Sequence, residues 1–206
     1  MNLSETDRQG IEARAARLEA RTGIEIVTAV VGKCDAYPEI PWKAFALCSG
    51  LAYMAAMLWH PDAVLGGLTF LLGGAAAALA TVFLPPFARL FLDAARREAE
   101  VRQYAAAFFL ERDLSRTQRR SGILMLVGVF ERSVVILPDA GVRARLGAAD
   151  LQDVIARMTP RLADGRIAPA LRDGLDALEA LLVAKGFTGG NGTDEIAQEV
   201  FEEKGA

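Results

Sequence analysis

The chain has 206 residues, a net charge of −3 and a hydrophobic fraction of 52%, which suits one globular domain plus an additional apolar part. This charge argues against nucleic-acid binding, because that function needs clustered lysine and arginine side chains to neutralise phosphates. The two cysteines, Cys34 and Cys48, form neither a Cys-x-x-Cys pair nor a set with histidines at ligand spacing. A zinc or redox site is therefore not expected.

The N-terminal segment predicts a helix followed by a strand. Ser4 and Asp7 form a capping-box signal, and apolar residues then recur at helical spacing to about Arg21. Residues 24–31 are rich in β-branched side chains and predict a strand that is buried on at least one face. The first residues have neither a basic start nor an apolar core, so no signal peptide is expected there.

Two uncharged segments predict a transmembrane hairpin over residues 42–84. Residues 44–59 and 63–84 contain no Asp, Glu, Lys or Arg, which gives runs of 16 and 22 residues. At about 1.5 Å per residue the second run spans a hydrocarbon layer of roughly 30 Å, and the first does so with its flanks. Trp42 and Trp59 lie at the ends of the first run, where indole rings favour the membrane interface. A helical hairpin buried in a soluble core is the alternative.

The basic residues around the hairpin predict its orientation. Lys33 and Lys43 precede it and Arg89, Arg96 and Arg97 follow it, whereas the turn between the two runs has no Lys or Arg. Basic flanks stay on the cytoplasmic side of a membrane. We therefore expect a multi-pass protein of the inner (cytoplasmic) membrane, with both termini and the water-facing domain in the cytoplasm.

The second half of the chain predicts a helix, two strands and two amphipathic helices. These elements are expected over residues 87–110, 122–129, 133–137, 151–162 and 171–182. The short link between the two strands indicates an antiparallel hairpin. Residues 188–192 predict a flexible linker, after which Thr193 is expected to cap a final acidic helix that includes Glu202 and Glu203.

The order of these elements predicts an α/β fold, in which helices sandwich a small mixed sheet (α/β/α) and a two-helix transmembrane hairpin is inserted. The long crossover from the first strand to the second favours a parallel pair. We expect one discontinuous α/β domain over residues 1–41 and 85–187, the transmembrane helical hairpin over 42–84, and a glycine-rich linker with an acidic C-terminal tail over 188–206.

Four short segments, taken in their order and spacing, resemble the TPM-domain family. They are Thr22-Gly23-Ile24-Glu25-Ile26-Val27; the block from Phe108-Phe109-Leu110 through Leu114, Thr117 and Arg120 to Gly122-Ile123-Leu124; Val129-Phe130-Glu131-Arg132-Ser133-Val134; and Asp139-Ala140-Gly141-Val142. The resemblance covers roughly residues 5–187. The hairpin inserted after the first strand is similar to the integral-membrane bacterial branch of the family, which places the membrane in a bacterium.

The resemblance to the TPM-domain family implies a fold and two kinds of activity. The implied fold is an α/β/α sandwich, in agreement with the element order. A divalent-ion or acid-phosphatase activity is implied by some exported members, and a role in maintaining membrane complexes is implied by others.

Candidate site residues lie at the ends of the predicted strands, where the ligand sites of α/β sheets tend to occur. Two carboxylates are candidates for a divalent cation and four further side chains for contact with an anion or a partner. The former are Glu131 and Asp139, and the latter are Thr117, Arg119, Arg120 and Arg132. Each also has a structural interpretation, as a turn residue or, for the paired arginines, as a contact to lipid phosphates.

The sequence contains no recognisable catalytic constellation. His60 is the only histidine and lies in the turn of the hairpin, so a Ser-His-Asp or Cys-His arrangement is not expected in the α/β domain. No cofactor is expected apart from the divalent cation.

Two functions remain open at this point. The first is a non-catalytic interaction or assembly module, anchored in the lipid bilayer and bound to another membrane protein or to itself. The alternative is a phosphatase-like hydrolase that uses Asp139 and Glu131 around a divalent ion. Transport is disfavoured, because two helices without an intramembrane charge offer no pathway.

Overall fold

The computed structural model describes residues 3–59, 62–114, 121–189 and 200–206. The chain divides into two compact units, which are described separately below. The sheet unit consists of Met1–Asp35 and Glu98–Ala206, and the hairpin unit consists of Ala36–Arg97.

The elements follow one another along the chain largely as the sequence predicts. They are α1 (Glu5–Thr22), β1 (Glu25–Lys33), α2 (Glu39–Trp59), α3 (Ala63–Phe83), α4 (Pro85–Ala88), a 3₁₀ helix (Arg89–Phe91), α5 (Ala94–Glu111), β2 (Gly122–Gly128), β3 (Ser133–Pro138), α6 (Ala140–Arg143), α7 (Ala148–Ala163), α8 (Ile167–Ala184) and β4 (Val200–Gly205).

The sheet has four strands in the order β3-β2-β1-β4. β1 is parallel to both β2 and β4, and β2 is antiparallel to β3. The register places Val27 of β1 opposite Leu124 of β2, and Leu126 opposite Val135 of β3. The predicted mixed sheet, with a parallel pair across the crossover and an antiparallel hairpin, is therefore confirmed.

Each face of the sheet carries its own hydrophobic core. Alternate residues of a strand point to opposite faces. Ile26 and Val30 thus pack with α1, α7 and α8 on one face. Val27 and Val31 pack with Val101 and other residues of α5 on the other face. Strands with apolar residues on both faces require cover on both sides, and the helices provide it.

The last described segment forms a strand, whereas the sequence predicts a helix there. Glu202 and Glu203, expected in a final acidic helix, lie instead on β4, which pairs with β1. Tertiary contacts explain the difference: Arg8 binds Glu202 at 2.7 Å, and the Tyr104 hydroxyl donates to Glu203 at 2.7 Å. Phe201 packs edge-on against the Phe108 ring at 5.8 Å. The remainder of the predicted linker and helix, residues 190–199, lies outside the described residues.

The helix predicted over residues 87–110 is also divided in the structure. Leu92 and Asp93 separate the 3₁₀ helix from α5. The Asp93 carboxylate accepts hydrogen bonds from the backbone N–H groups of Ala95 at 2.9 Å and Arg96 at 3.1 Å. An aspartate that satisfies the first N–H groups of a helix favours a new start at that point.

Within the hairpin unit, α2 and α3 pack through glycines of α3. A methyl group at Gly66 would lie 2.5 Å from Met57 Cε, and one at Gly74 would lie 2.7 Å from the Phe45 ring. At Gly73 the distance to Ala52 Cβ would be 2.9 Å. These glycines let the two backbones approach more closely than larger residues would allow.

The outward faces of α2 and α3 are apolar and exposed. On α2, Leu58 is 86% exposed and Trp59 is 82% exposed; on α3, Leu72 is 68% exposed and Phe83 is 75% exposed. Among the described helices, α3 is the one long and apolar enough to cross a membrane by length and composition. α2 is equally long, but Lys43, its tyrosine and its two tryptophans lower its mean hydropathy. The described helices thus include one candidate membrane-spanning helix, whereas the sequence predicts two.

Candidate functional site

The carboxyl ends of three parallel strands define the edge of the sheet where a ligand site is most expected. β1, β2 and β4 run in the same direction, so Cys34, Gly128 and Gly205 lie at or just beyond the same edge. Open α/β sheets bind ligands outside the carboxyl ends of their strands. This edge, called the carboxyl edge below, also includes Glu131 from the turn between β2 and β3.

Glu131 fastens the β2–β3 turn to the end of β1. Its side chain is buried, and its Oε1 accepts a hydrogen bond from the backbone N–H of Cys34 at 2.9 Å. A methyl group at Gly128 would lie 2.6 Å from Glu131 Oε2 and 3.1 Å from Cys34 Sγ, so a larger residue there would displace the carboxylate. The backbone N–H of Val129 donates to the Val31 carbonyl at 2.9 Å and extends the contact along the strand.

The thiol of Cys34 is held in its protonated form. Burial is the main cause that raises its pKa, and the negative charge and hydrogen bond of Glu131 raise the pKa further. The thiolate is the nucleophilic form of cysteine, so this environment keeps Cys34 unreactive at neutral pH. The Cys34–Glu131 pair thus joins strands and does not generate a nucleophile.

We expect alkaline pH to destabilise the fold through Cys34. In the unfolded chain the thiol ionises near its ordinary pKa of about 8.5, whereas the folded state retains the proton because the folded pKa is raised. The resulting stabilisation is complete below the unfolded pKa and is lost as the pH rises towards the folded pKa. At pH 10 this difference favours unfolding by about 2 kcal/mol relative to neutral pH.

Urea unfolding of the full chain in mild detergent, at intervals from neutral pH to pH 10, measures this effect. The wild type should lose about 2 kcal/mol more stability over this range than Cys34→Ala, which lacks the group that titrates. Comparing pH dependences cancels any constant cost of the substitution. Parallel pH profiles of the two proteins would contradict the assignment.

Tyr104 and Glu203 form a second polar contact, between α5 and β4. Partial burial, followed by the hydrogen bond to Glu203, raises the pKa of the Tyr104 phenol. The guanidinium of Arg112 lies 3.1 Å from Glu203 and 4.4 Å from the centre of the Phe201 ring. Neither Tyr104 nor Arg112 was among the predicted site residues, because their partner Glu203 lies far along the chain. The local signals for this edge were the positions of Glu131 in the turn after β2 and of Cys34 directly after β1.

The two predicted cation ligands lie at opposite ends of β3. Ser133, which follows the Glu131 turn, pairs with Gly128, whereas Pro138, which precedes Asp139, pairs with Ile123. Six residues of extended chain separate the two carboxylates by about 20 Å. One divalent ion bound by both is therefore ruled out, and this arrangement of the predicted hydrolase is wrong.

Asp139 has a local structural role at its end of β3. Its Oδ1 accepts a hydrogen bond from the backbone N–H of Ala140 at 2.6 Å and caps the short α6. The Asp139 N–H donates to the Gly122 carbonyl at 2.8 Å, so the residue also continues the sheet. The predicted turn-forming interpretation of Asp139 agrees with these contacts.

The predicted anion or partner contacts are only partly described by the structure. Arg132 has a left-handed backbone with φ of 50°, and its guanidinium donates to the Ala163 carbonyl. Thr117, Arg119 and Arg120, together with His60, lie outside the described residues. Within residues 3–59, 62–114, 121–189 and 200–206, no group of three or more His, Cys, Asp or Glu side chains is arranged to hold a metal ion.

A small cavity lies at the opposite, amino edge of the sheet. Its volume is about 240 Å³, and Ile24, Ser121 and Val142 are among its lining residues. Among the described lining residues, Arg145 carries the only charge. Its guanidinium stacks 3.9 Å from the centre of the Phe187 ring and donates to a backbone carbonyl at 2.7 Å. The charge of this cavity is thus already used within the fold.

The fold is that of an α/β protein in which helices cover both faces of a mixed sheet. Comparison with known families adds a more specific assignment. A family model of the TPM domain matches residues 89–181, so a TPM domain is present over this part of the chain. The predicted resemblance is confirmed at that level, whereas the integral-membrane branch stays a prediction.

A solved structure shares the fold over nearly the whole chain. It is the NMR structure of the BA42 protein from the psychrophilic bacterium Bizionia argentinensis, with a TM-score of 0.61 and 13% sequence identity. The similarity covers 98% of this chain and 96% of that one, and at this identity it concerns the fold alone. No curated protein matches the chain.

Proposed function

We propose that this protein is a membrane-anchored, non-catalytic interaction or assembly module. In this proposal the hairpin unit inserts into the bacterial inner membrane, and the TPM-containing sheet unit lies in the cytoplasm and binds another membrane protein or a second copy. The observation that carries the proposal is the exposed apolar surface of α2 and α3.

The exposure of this surface is unfavourable in water and favourable in lipid. Only 11% of the apolar stretch of α3 is buried, and this stretch contains no charged residue. Soluble monomers rarely expose apolar patches of this extent, and such patches mark membrane or protein contacts. The buried-hairpin alternative requires these side chains to be covered by the rest of a soluble core, and within the hairpin unit they are not.

The length of α3 also supports a membrane location. Its 21 residues rise about 31 Å, close to the hydrocarbon thickness of a bilayer of roughly 30 Å. Ser49 of α2 and Thr81 of α3 donate to backbone carbonyls of their own helices, at 2.5 Å and 2.7 Å. Such bonds satisfy hydroxyl groups where no water is present.

The non-catalytic part of the proposal is supported by the chemistry of the carboxyl edge. Glu131 is engaged by the Cys34 backbone, and the Cys34 thiol is kept protonated. Asp139 caps α6 at the far end of β3. A divalent-metal hydrolase built on Glu131 and Asp139 has no support here, because β3 holds the two carboxylates too far apart to bind one ion.

Fractionation of cells that produce the full chain tests the anchor. We expect the protein to sediment with inner membranes and to resist extraction by alkaline carbonate, while mild detergent releases it. Purified protein in that detergent should then self-associate or retain a partner at fixed stoichiometry in light-scattering measurements. Recovery in the soluble fraction contradicts the anchor, and a purely monomeric species without a partner contradicts the assembly role.

The orientation requires a better reporter than either native cysteine. Cys34 is buried and its thiol pKa is raised, so a membrane-impermeant thiol reagent reacts with it slowly on either side. We therefore choose Gln152→Cys on the exposed surface of α7, in a Cys48→Ser background. Labelling in inverted vesicles but not in intact cells is expected, and labelling of intact cells would contradict a cytoplasmic sheet unit.

A further inference from the structure

The open end of the hairpin gathers polar and apolar groups from three parts of the hairpin unit. α2 begins and α3 ends at this end, and the segment after α3 folds back over it. Lys43 Nζ lies 3.4 Å from the Phe91 carbonyl oxygen, and Arg96 forms a salt bridge with Glu39 at 2.9 Å. These contacts bring residues about 50 positions apart in the chain to one place.

This end, called the hairpin base, exposes large apolar side chains. Trp42 is 73% exposed, Leu84 is 55% exposed and Leu90 is 76% exposed. Leu84 directly precedes α4, and Leu90 lies within the 3₁₀ helix; both helices are too short to bury a face of their own. A tryptophan and leucines in this position suit the boundary between acyl chains and head groups.

The hairpin base is also basic. It contains four basic residues and two acidic ones. The basic residues are Lys43, Arg89, Arg96 and Arg97, and the acidic residues are Glu39 and Asp93. Both acids have local roles, since Glu39 pairs with Arg96 and Asp93 caps α5. Lys43 and Arg97 are exposed.

The opposite end of the hairpin lacks such a basic set. There, Asp62 is the charged residue that the structure describes, and it caps α3 by accepting from the Leu65 N–H at 2.8 Å. The positive charge of the hairpin unit is therefore confined to one end.

We propose that the hairpin base binds the head groups of anionic phospholipids. Lys43 and Arg97 contact the lipid phosphates, while Trp42, Leu84 and Leu90 rest among the upper acyl chains. Long basic side chains place their charge at the head groups and their stems in the apolar layer. The inference rests on the proposed membrane anchor, and it adds a lipid preference that an anchor alone does not require.

Fluorescence of Trp42 tests this inference directly. The full chain, in a Trp59→Phe background so that Trp42 is the remaining tryptophan, is reconstituted into bilayers with brominated phosphatidylcholine or brominated phosphatidylglycerol. Bromine quenches tryptophan at short range, so quenching against mole fraction gives the relative association of the two lipids with this site. We expect phosphatidylglycerol to be preferred by about fivefold, a preference that high salt reduces.

Matched variants separate the inference from the proposed function. Lys43→Gln together with Arg97→Gln should bring the preference close to one, whereas Arg157→Gln on the exposed surface of α7 should leave it unchanged. Equal quenching by both lipids in the wild type overturns the lipid preference and leaves the anchor intact. No quenching by either lipid places Trp42 away from the bilayer and overturns the anchor itself.

Discussion

Replacement of both Leu71 and Leu72 by arginine is expected to abolish stable membrane insertion. The two leucines lie near the middle of α3 and are 58% and 68% exposed. An arginine at the centre of a spanning helix costs about 3 kcal/mol on insertion scales, so the pair costs about 6 kcal/mol. Fractionation with alkaline carbonate should therefore find the double variant outside the integral membrane fraction.

The same double substitution distinguishes a membrane helix from an exposed helix of a soluble protein. In water, charged residues at two exposed positions change stability by less than about 0.5 kcal/mol each, because both side chains are mainly solvated. A matched control places arginine at Leu110 of α5 and Val183 of α8, which are 70% and 42% exposed in the sheet unit. We expect this control to fractionate as the wild type, and an unchanged Leu71→Arg, Leu72→Arg variant would refute the membrane helix.

Glu131→Ala is expected to lower the stability of the sheet unit by about 3 kcal/mol. The substitution leaves the buried Cys34 N–H without the carboxylate oxygen that now lies 2.9 Å away, and an unsatisfied buried donor costs about 1–3 kcal/mol. Loss of a buried side chain also leaves a cavity beside Gly128. Thermal unfolding followed by circular dichroism should record a fall in Tm of about 6–12 °C.

Two further variants make this measurement specific. Glu131→Gln retains an oxygen that can accept from the Cys34 N–H, so it should lose less stability than the alanine variant. Glu98→Ala removes a carboxylate whose side chain is 68% exposed and pairs with Arg102 across one helical turn, so its Tm should stay within about 2 °C of the wild type. If Glu131→Ala is as stable as Glu98→Ala, Glu131 does not fasten the turn to β1.

The order of elements could be predicted because it depends on patterns within short segments. The β-branched run that forms β1, the capping serine of α1 and the short link between β2 and β3 each specify local geometry through neighbours a few residues away. Apolar residues on both faces of β1 and β2 required helices on both sides of the sheet. The uncharged runs likewise predicted two long helices with apolar surfaces.

The role of each polar residue could not be predicted, because its partner lies far along the chain. Glu131 was interpreted as a solvated turn residue or a cation ligand, yet it is buried against the backbone of Cys34, 97 positions away. Glu202 was assigned to a helix, yet Arg8, 194 positions away, holds it on β4. In both cases the favourable interaction exists only after the sheet has formed.

The sequence by itself thus determined the long helices α1, α2, α3, α7 and α8, three of the four strands and the TPM resemblance, since hydrophobic periodicity and turn chemistry are local properties. Only the tertiary structure decided that Glu131 and Asp139 lie at opposite ends of β3, that β4 completes the sheet, and that Lys43 contacts Phe91 and Arg96 pairs with Glu39 at the hairpin base. Strand register and helix packing set these distances, and both arise from contacts between segments that are remote in sequence.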